Sequence, residues 1–243
     1  MEVSYTDNLY IIMPAFNEEM NIEAVVKEWH EVVNKIGGDS RLVIIDGGSR
    51  DQTFTKLCEL KTIYPMLDPI QKVGMGHGAT VLWGYQNALD RGADFIFQTD
   101  SDGQTLPSEF WQFWEQRNSY AAIIGHRNHR EDGFSRVIVT KTLKLVLKLI
   151  FGLMITDANT PFRLIRRESM RKYITRIPVG FNLSNVILTV LLIQANENVK
   201  FIPITFRPRQ GGVNSVNFKR IIKIGWQALI DFRVIKKELN RNR

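Results

Sequence analysis

Short apolar runs alternate with stretches of helical period along the first half of this chain, and nearly every run ends in a turn rich in Asp, Asn, Gly or Pro. Leu9–Met13 is stopped by Pro14. It precedes a segment in which Ile22, Val25, Val26, Trp29, Val32, Val33 and Ile36 recur at spacings of three and four until Gly37-Gly38. Leu42–Ile45 ends in Asp46, and Gly47 to Asp51 turns into the next helix. A weaker run, Ile70–Val73, leads through Gly74-Met75-Gly76-His77-Gly78-Ala79 to a helix over Thr80–Asp90. Phe95–Phe97 then forms a fourth strand, Pro107 opens a helix through Asn118, and Ala121–Gly125 forms a fifth strand. Such alternation predicts an α/β fold with a mostly parallel central sheet, right-handed connections and helices on both faces.

The second half reads differently. Ser135 caps a helix running to about Gly152, with Lys141, Lys144 and Lys148 in one stripe beside a broad apolar surface. A helix over Leu183–Ala195, a strand over Phe201–Phe206 and a last amphipathic helix from Phe218 to about Leu239 follow. The expected organisation is one domain over residues 1–215, with an amphipathic interface helix at 134–155, and a basic amphipathic C-terminal helix at 216–243. A length of 243 residues suits that division.

Cys58 is the single cysteine, which excludes an internal disulfide framework or a multi-cysteine metal site and fits a reducing compartment. Met1–Asn8 is polar, Leu9–Pro14 is too short for a signal core, and no long uncharged apolar run suggests a membrane span. The net charge of +7 calls for an anionic partner. The excess lies past Val216, where Lys219, Arg220, Lys223, Arg233, Lys236, Lys237, Arg241 and Arg243 outnumber Asp231 and Glu238. These basic residues are not interleaved with stacking aromatics, so a nucleic acid is not the expected partner. Lysines beside an apolar surface fit a helix lying at an anionic membrane interface, the alternative being a core helix with a solvated stripe. The expectation is a cytoplasmic protein held peripherally on the inner membrane surface, alone, as a homo-oligomer or with a membrane-protein partner.

The chemistry centres on residues 95–104. The apolar run Phe95–Phe97 is followed by Asp100, Ser101, Asp102, Gly103 and Gln104. If extended geometry persists, Asp100 and Asp102 share one side. Two hard oxygen ligands at a strand end suit Mg²⁺ or Mn²⁺, which keep much of their shell for water and substrate phosphates. A solvated Asx-rich turn is the simpler alternative. Gly74-x-Gly76-x-x-Ala79 matches a dinucleotide fingerprint but follows two earlier strand–helix units, so those glycines fit close backbone approach to a phosphate or a sugar better. Pro14–Glu18, Asp46–Asp51 and Asp100–Gln104 together predict an acidic crevice at the carboxyl edge of the sheet. A metal would let an anionic diphosphate occupy it.

In order, the chain carries Met-Pro-Ala-Phe-Asn-Glu at 13–18, Ile-Ile-Asp-Gly-Gly-Ser-Arg-Asp at 44–51 and Gly-Met-Gly-His-Gly-Ala at 74–79. Asp-Ser-Asp-Gly-Gln at 100–104, Gly-His-Arg at 125–127, Asp157 through Phe162-Arg163, and Pro-Ile-Thr-Phe-Arg-Pro-Arg at 203–209 follow. From Ile11 to about Asn217 it resembles a family-2 glycosyltransferase of the GT-A fold, most like the dolichol- or polyprenyl-phosphate sugar synthases. The resemblance implies that Pro14, Phe16, Glu18, Ile44 and Asp46 hold the nucleotide base and ribose. It implies Asp100 and Asp102 as the metal-and-diphosphate motif, with Ser101 between them on the donor and Gln104 as a further ligand. Arg127, Arg163 and Arg209 are implied at phosphates of donor and acceptor. Two departures stand out: Gly47 occupies a place where many relatives carry a second Asp, and the run at 211–216 lacks a lysine after Ser215.

The implied reaction is inverting, metal-dependent transfer of a sugar from a GDP- or UDP-linked donor to a polyprenyl phosphate. A phosphate monoester is largely doubly ionised above pH ~6 and needs orientation more than a base. A saccharide hydroxyl in cell-envelope polysaccharide would need a base, for which Asp157 is the candidate. A non-catalytic nucleotide-binding module is the further alternative.

Overall fold

The computed structural model describes residues 7–127, 134–178, 180–207, 226–227 and 229–237. The elements, in order, are β1 (Leu9–Ala15), α1 (Ile22–Ile36), β2 (Arg41–Asp46), α2 (Thr53–Lys61), β3 (Leu67–Gln71), α3 (His77–Asp90) and β4 (Phe95–Gln98). Then come α4 (Phe110–Trp114), β5 (Ala122–Arg127), α5 (Phe134–Phe151), β6 (Arg163–Arg166), α6 (Arg167–Ile174), α7 (Ser184–Gln194) and β7 (Val199–Ile204). Residues 226–227 and 229–237 are helical.

The strands form one seven-stranded sheet in the order β3-β2-β1-β4-β6-β5-β7. β6 pairs antiparallel with both β4 and β5, and every other pairing is parallel. Six strands therefore finish at one edge of the sheet, and β6 begins there. The period-2 alternation of strand side chains divides the core. Ile11, Met13, Ile44 and Phe97 face α1, α2 and α4. Tyr10, Ile12, Val43, Ile45 and Ile96 face α3, α6 and α7, and this second core also takes in Leu147, Ile150 and Phe151 of α5 with Phe232 and Ile235.

Several boundaries differ from the sequence reading. β3 starts at Leu67 rather than Ile70, because Pro69 is tolerated in a strand on the sheet edge; Val73 lies beyond it, largely exposed. The single helix expected over 107–118 is broken into a 3-10 turn at Pro107–Glu109, the short α4, and a second 3-10 turn at Arg117–Ser119. Phe110, Phe113 and Trp114 are all fully buried there, so aromatic packing rather than helical continuity sets that backbone. α6 was not anticipated, and β7 begins two residues earlier than expected. Of the last predicted helix, 218–225 lies outside the described residues; the described part packs Phe232 against Phe151 and Phe181, with ring centroids 5.7 Å apart in each case.

Candidate active site

Two loops at the shared edge are laced together. Asn17 adopts a left-handed conformation at φ 57°. Its N–H donates to Ser49 Oγ at 2.9 Å, and its Oδ1 accepts from the Arg50 N–H at 2.9 Å. The Glu18 N–H donates to Thr53 Oγ1 at 2.8 Å, and Lys56 Nζ donates to the Glu19 carbonyl at 2.9 Å. Asp51 accepts from the N–H groups of Thr53 and Glu19 at 3.0 and 3.2 Å. Partial burial pushes the Asp51 carboxyl upward, but the hydrogen bonds from Thr53 and Glu19 outweigh it and hold the group below the usual carboxylate range.

Within this brace, Phe16 is 53% exposed, Pro14 is buried, and Glu18 is buried with Oε2 accepting from Asn21 Nδ2 at 2.8 Å. Gly47 packs beside Ala15 and Phe16, where an added Cβ would stand 3.6 Å from the Ala15 carbonyl. Two expected nucleotide contacts lie deeper than the sequence implied. Ile44 is fully buried in the α1-facing core, so its side chain is a packing residue and not a cleft residue. Asp46 is also fully buried. Its carboxylate accepts from the Gly48 and Ser49 N–H groups at 3.1 Å, from Gln71 Nε2 at 3.3 Å, and from the Ser49 hydroxyl. It shapes its own turn.

β4 ends at Gln98, two residues before the acidic pair, so the pair sits on a bend and not on a continuing strand. Ser101 turns inward, its hydroxyl donating to the Pro14 carbonyl at 2.8 Å, which makes it a tether between β1 and this turn. Asp100 and Asp102 on either side are half-buried, and Asp102 Oδ1 accepts from the Gln104 N–H at 3.1 Å. Gln104 is buried; its Nε2 donates to the Arg207 carbonyl at 2.9 Å while the Arg207 N–H donates to the Gln104 carbonyl at 2.8 Å. Gln104 thus ties the segment after β7 to the acidic turn. Among the described residues no cluster of three or more His, Cys, Asp or Glu side chains is placed to hold an ion. Two half-buried carboxylates with hard oxygens fit a cation that takes the rest of its shell from water and phosphate.

Because β6 is antiparallel, the loop that precedes it reaches the same edge. Asp157 there meets Arg127 from the end of β5 in a two-point pair, Nε to Oδ2 at 3.0 Å and Nη2 to Oδ1 at 3.2 Å. The Arg127 guanidinium also lies 5.3 Å from the Phe206 ring centroid. Arg163, expected at a phosphate, is instead fully buried. Its Nε donates to the Thr160 carbonyl at 2.9 Å, its Nη1 to the Asn185 carbonyl at 3.0 Å and Thr189 Oγ1 at 3.2 Å, and its Nη2 to the Ala158 carbonyl at 3.2 Å. With its donors engaged, it does not reach a ligand in the cleft. Arg209 lies outside the described residues.

The structure adds a buried polar layer beneath the acidic turn that the sequence reading did not include. The Tyr85 hydroxyl bonds Gln98 Oε1 and lies 3.3 Å from Asn185 Oδ1. Burial pushes the Tyr85 phenol far up, so it stays protonated. The available signal was the pair Asn185 and Thr189, one turn apart inside the otherwise apolar α7.

The Glycosyl transferase family 2 profile matches residues 10–174. The chain belongs to that family. It is a glycosyltransferase. Its relatives include a polyprenol monophosphomannose synthase from Mycolicibacterium smegmatis, 26% identical over 227 residues covering 89% of this chain and 83% of that protein. A UDP-N-acetylglucosamine–dolichyl-phosphate N-acetylglucosaminyltransferase from Methanococcus voltae is 26% identical over 187 residues, covering 67% and 71%. Among solved structures, glucosyl-3-phosphoglycerate synthase from Mycobacterium tuberculosis, in complex with Mn²⁺, UDP and glucosyl-3-phosphoglycerate, superposes with a TM-score of 0.71 at 15% identity. That match covers 95% of this chain and 80% of the other and identifies the GT-A fold.

Proposed function

We propose that this family-2 glycosyltransferase moves a sugar from a GDP- or UDP-linked donor to a polyprenyl phosphate, with inversion at the anomeric carbon. The observation that carries the acceptor class is the Arg127–Asp157 pair at the carboxyl edge of the sheet. A carboxylate with both oxygens engaged by a guanidinium serves to orient that arginine, and its oxygens are already taken up as hydrogen-bond acceptors. A hydroxyl acceptor needs a base; a phosphate monoester arrives ionised and needs a cation to orient it. The names of the mycobacterial and archaeal relatives, both transferases acting on polyprenyl or dolichyl phosphate, agree with this reading.

In the proposed mechanism, Phe16, Pro14 and the 46–49 turn border the nucleoside, and Asp100 and Asp102 would hold a divalent cation. Such an ion, Mg²⁺ or Mn²⁺, stabilises negative charge on the departing diphosphate. Arg127, held by Asp157, orients the acceptor phosphate so that its oxygen attacks the anomeric carbon opposite the leaving group.

Membrane contact is part of the proposal. Among the described residues no helix is long and apolar enough to cross a bilayer. Lys141, Lys144 and Lys148 of α5 are exposed beside Leu145 and Leu149, and the adjoining C-terminal helix exposes Trp226, Ile230 and Val234. Cations interspersed with apolar side chains suit the headgroup boundary of an anionic leaflet, which for a nucleotide-sugar enzyme is the cytoplasmic one.

The test is transfer of radiolabelled sugar from a panel of nucleoside-diphosphate sugars into organic-extractable lipid, with Mn²⁺ or EDTA. Label in a lipid product labile to mild acid is the expected result, lost in Asp100→Ala and Asp102→Ala together with donor-induced thermal stabilisation. Label confined to water-soluble glycan would overturn the lipid acceptor.

A further inference from the structure

Among the described residues, Arg163 is a cation with no carboxylate within salt-bridge distance. Every hydrogen bond it makes is to a neutral acceptor: the carbonyls of Ala158, Thr160 and Asn185 and the Thr189 hydroxyl. Among the described residues it forms no salt bridge, although its side chain is completely buried. A guanidinium does not shed its proton in proteins, and burying a charge without an ionic partner carries a large desolvation cost. A neutral side chain of similar volume would fill the space at lower cost, so a purely structural clamp leaves the charge unexplained.

Its place in the sheet supplies an explanation. Arg163 is the first residue of β6, paired with Gln98 on one side and Ile124 on the other. Two residues beyond Gln98 is Asp100, and three beyond Ile124 is Arg127. The carbonyls it grips belong to the loop carrying Asp157. The charge therefore stands behind the point where the acidic turn and the Arg127–Asp157 pair converge. Burial pushes the guanidinium's proton affinity down, while the Asp157 and Asp100 carboxylates push it back up.

We propose that Arg163 is an electrostatic positioning residue: from beneath the cleft, its buried charge strengthens binding of the donor's diphosphate without touching it, while its hydrogen bonds fix the loop that presents Asp157. This inference rests on the nucleotide-sugar reading above. It differs from a phosphate-gripping arginine because the effect acts through low-dielectric protein, where charge is poorly screened.

The test compares the dissociation constants of GDP and UDP with those of guanosine and uridine, by NMR titration of the full chain in Mn²⁺ and in EDTA. Arg163→Met is expected to weaken the diphosphate that binds best by about tenfold and to leave the matching nucleoside unchanged. Arg163→Lys is expected to recover most of the loss. Equal weakening of nucleoside and diphosphate, or no weakening, overturns the proposal. Should Arg163→Met fail to fold, Arg163→Lys and Thr189→Val decide, since both keep the charge and lose hydrogen bonds. Both must then retain the wild-type ratio of nucleoside to diphosphate affinity, and a fall of that ratio in either variant assigns the effect to hydrogen bonding and overturns the proposal. A wild-type protein that binds neither diphosphate overturns the donor reading itself, whereas an unchanged Met variant overturns only the role of Arg163.

Discussion

At the scale of single residues, the site is made from pairs whose members have different tasks. Arg127 presents a cation and Asp157 fixes its direction. Arg127→Ala is therefore expected to raise the KM for the lipid acceptor by more than about tenfold, the loss of a charge-assisted contact, with donor affinity unchanged. Asp157→Asn should raise the same KM and leave kcat within about an order of magnitude, whereas removal of a true general base costs about 10²–10⁴ in rate. Steady-state kinetics with varied acceptor separates the two. Far from the site, His30 accepts from the Met66 N–H at 3.4 Å and packs on Tyr64. Burial lowers its pKa, Glu31 raises it and Lys61 lowers it, for a net depression. The unfolded chain then binds the proton more readily, so this contribution is full above the ordinary histidine pKa of about 6.5 and is lost as pH falls through the lower folded value. Tm measured from pH 7.5 downward should fall more steeply in the wild type than in His30→Phe. The acidic pair could be read in the sequence because two carboxylates, a serine and a glycine after an apolar run are unusual in themselves. The orientation of Arg163 could not. Whether that arginine faces the cleft or the interior is decided by Asn185 and Thr189, which meet it only after α7 has packed.

Among the elements, α3 shows how the glycine-rich segment works. A Cβ at Gly78 would lie 2.2 Å from the Phe181 carbonyl and 2.6 Å from that of Asn182. One at Gly84 would lie 2.4 Å from Ile12 Cγ2. Both glycines let the helix lie close, the first against the turn before α7 and the second flat on β1 and β2. Packing thus explains Gly78 and Gly84, whereas Gly74, at φ 83° with open space around it, serves the turn before the helix. Gly78→Ala is expected to cost about 1–3 kcal/mol through overpacking, a fall of roughly 2–12 °C in Tm by thermal denaturation. Helix α1 was read correctly from its spacing because its apolar stripe is also its buried face. β3 was misplaced because the apolar run offered a better-looking strand than Leu67-Asp68-Pro69, and only its position on the sheet edge makes that proline acceptable. α4 was overextended because periodicity does not show where aromatic crowding shortens a helix.

For the whole molecule, the sheet gathers its chemistry on one edge while α5 and the C-terminal helix add lysines and exposed apolar side chains elsewhere on the surface. If that surface rests on a bilayer, replacing Lys141, Lys144 and Lys148 by Glu should abolish co-sedimentation with anionic vesicles. About 1 kcal/mol is lost per lysine near such a surface. Activity toward a short, water-soluble prenyl phosphate should be retained. The α/β class and the mostly parallel sheet were legible because alternation of period is a property of the whole chain; the order of the strands in the sheet and the reversed β6 were not. The amphipathic pattern of these helices was legible from spacing, but the packing of Phe232 on Phe151 and Phe181 decides which side of the last helix faces outward.

The reversed direction of β6 has one more consequence. By turning a single strand around, the fold delivers the Asp157 loop to the rim where β5 and β7 also end, so that the proposed acceptor side is assembled from stretches of chain that follow those carrying the proposed nucleotide turns. A lineage could then exchange the later stretch and meet a new acceptor while leaving its choice of nucleotide untouched.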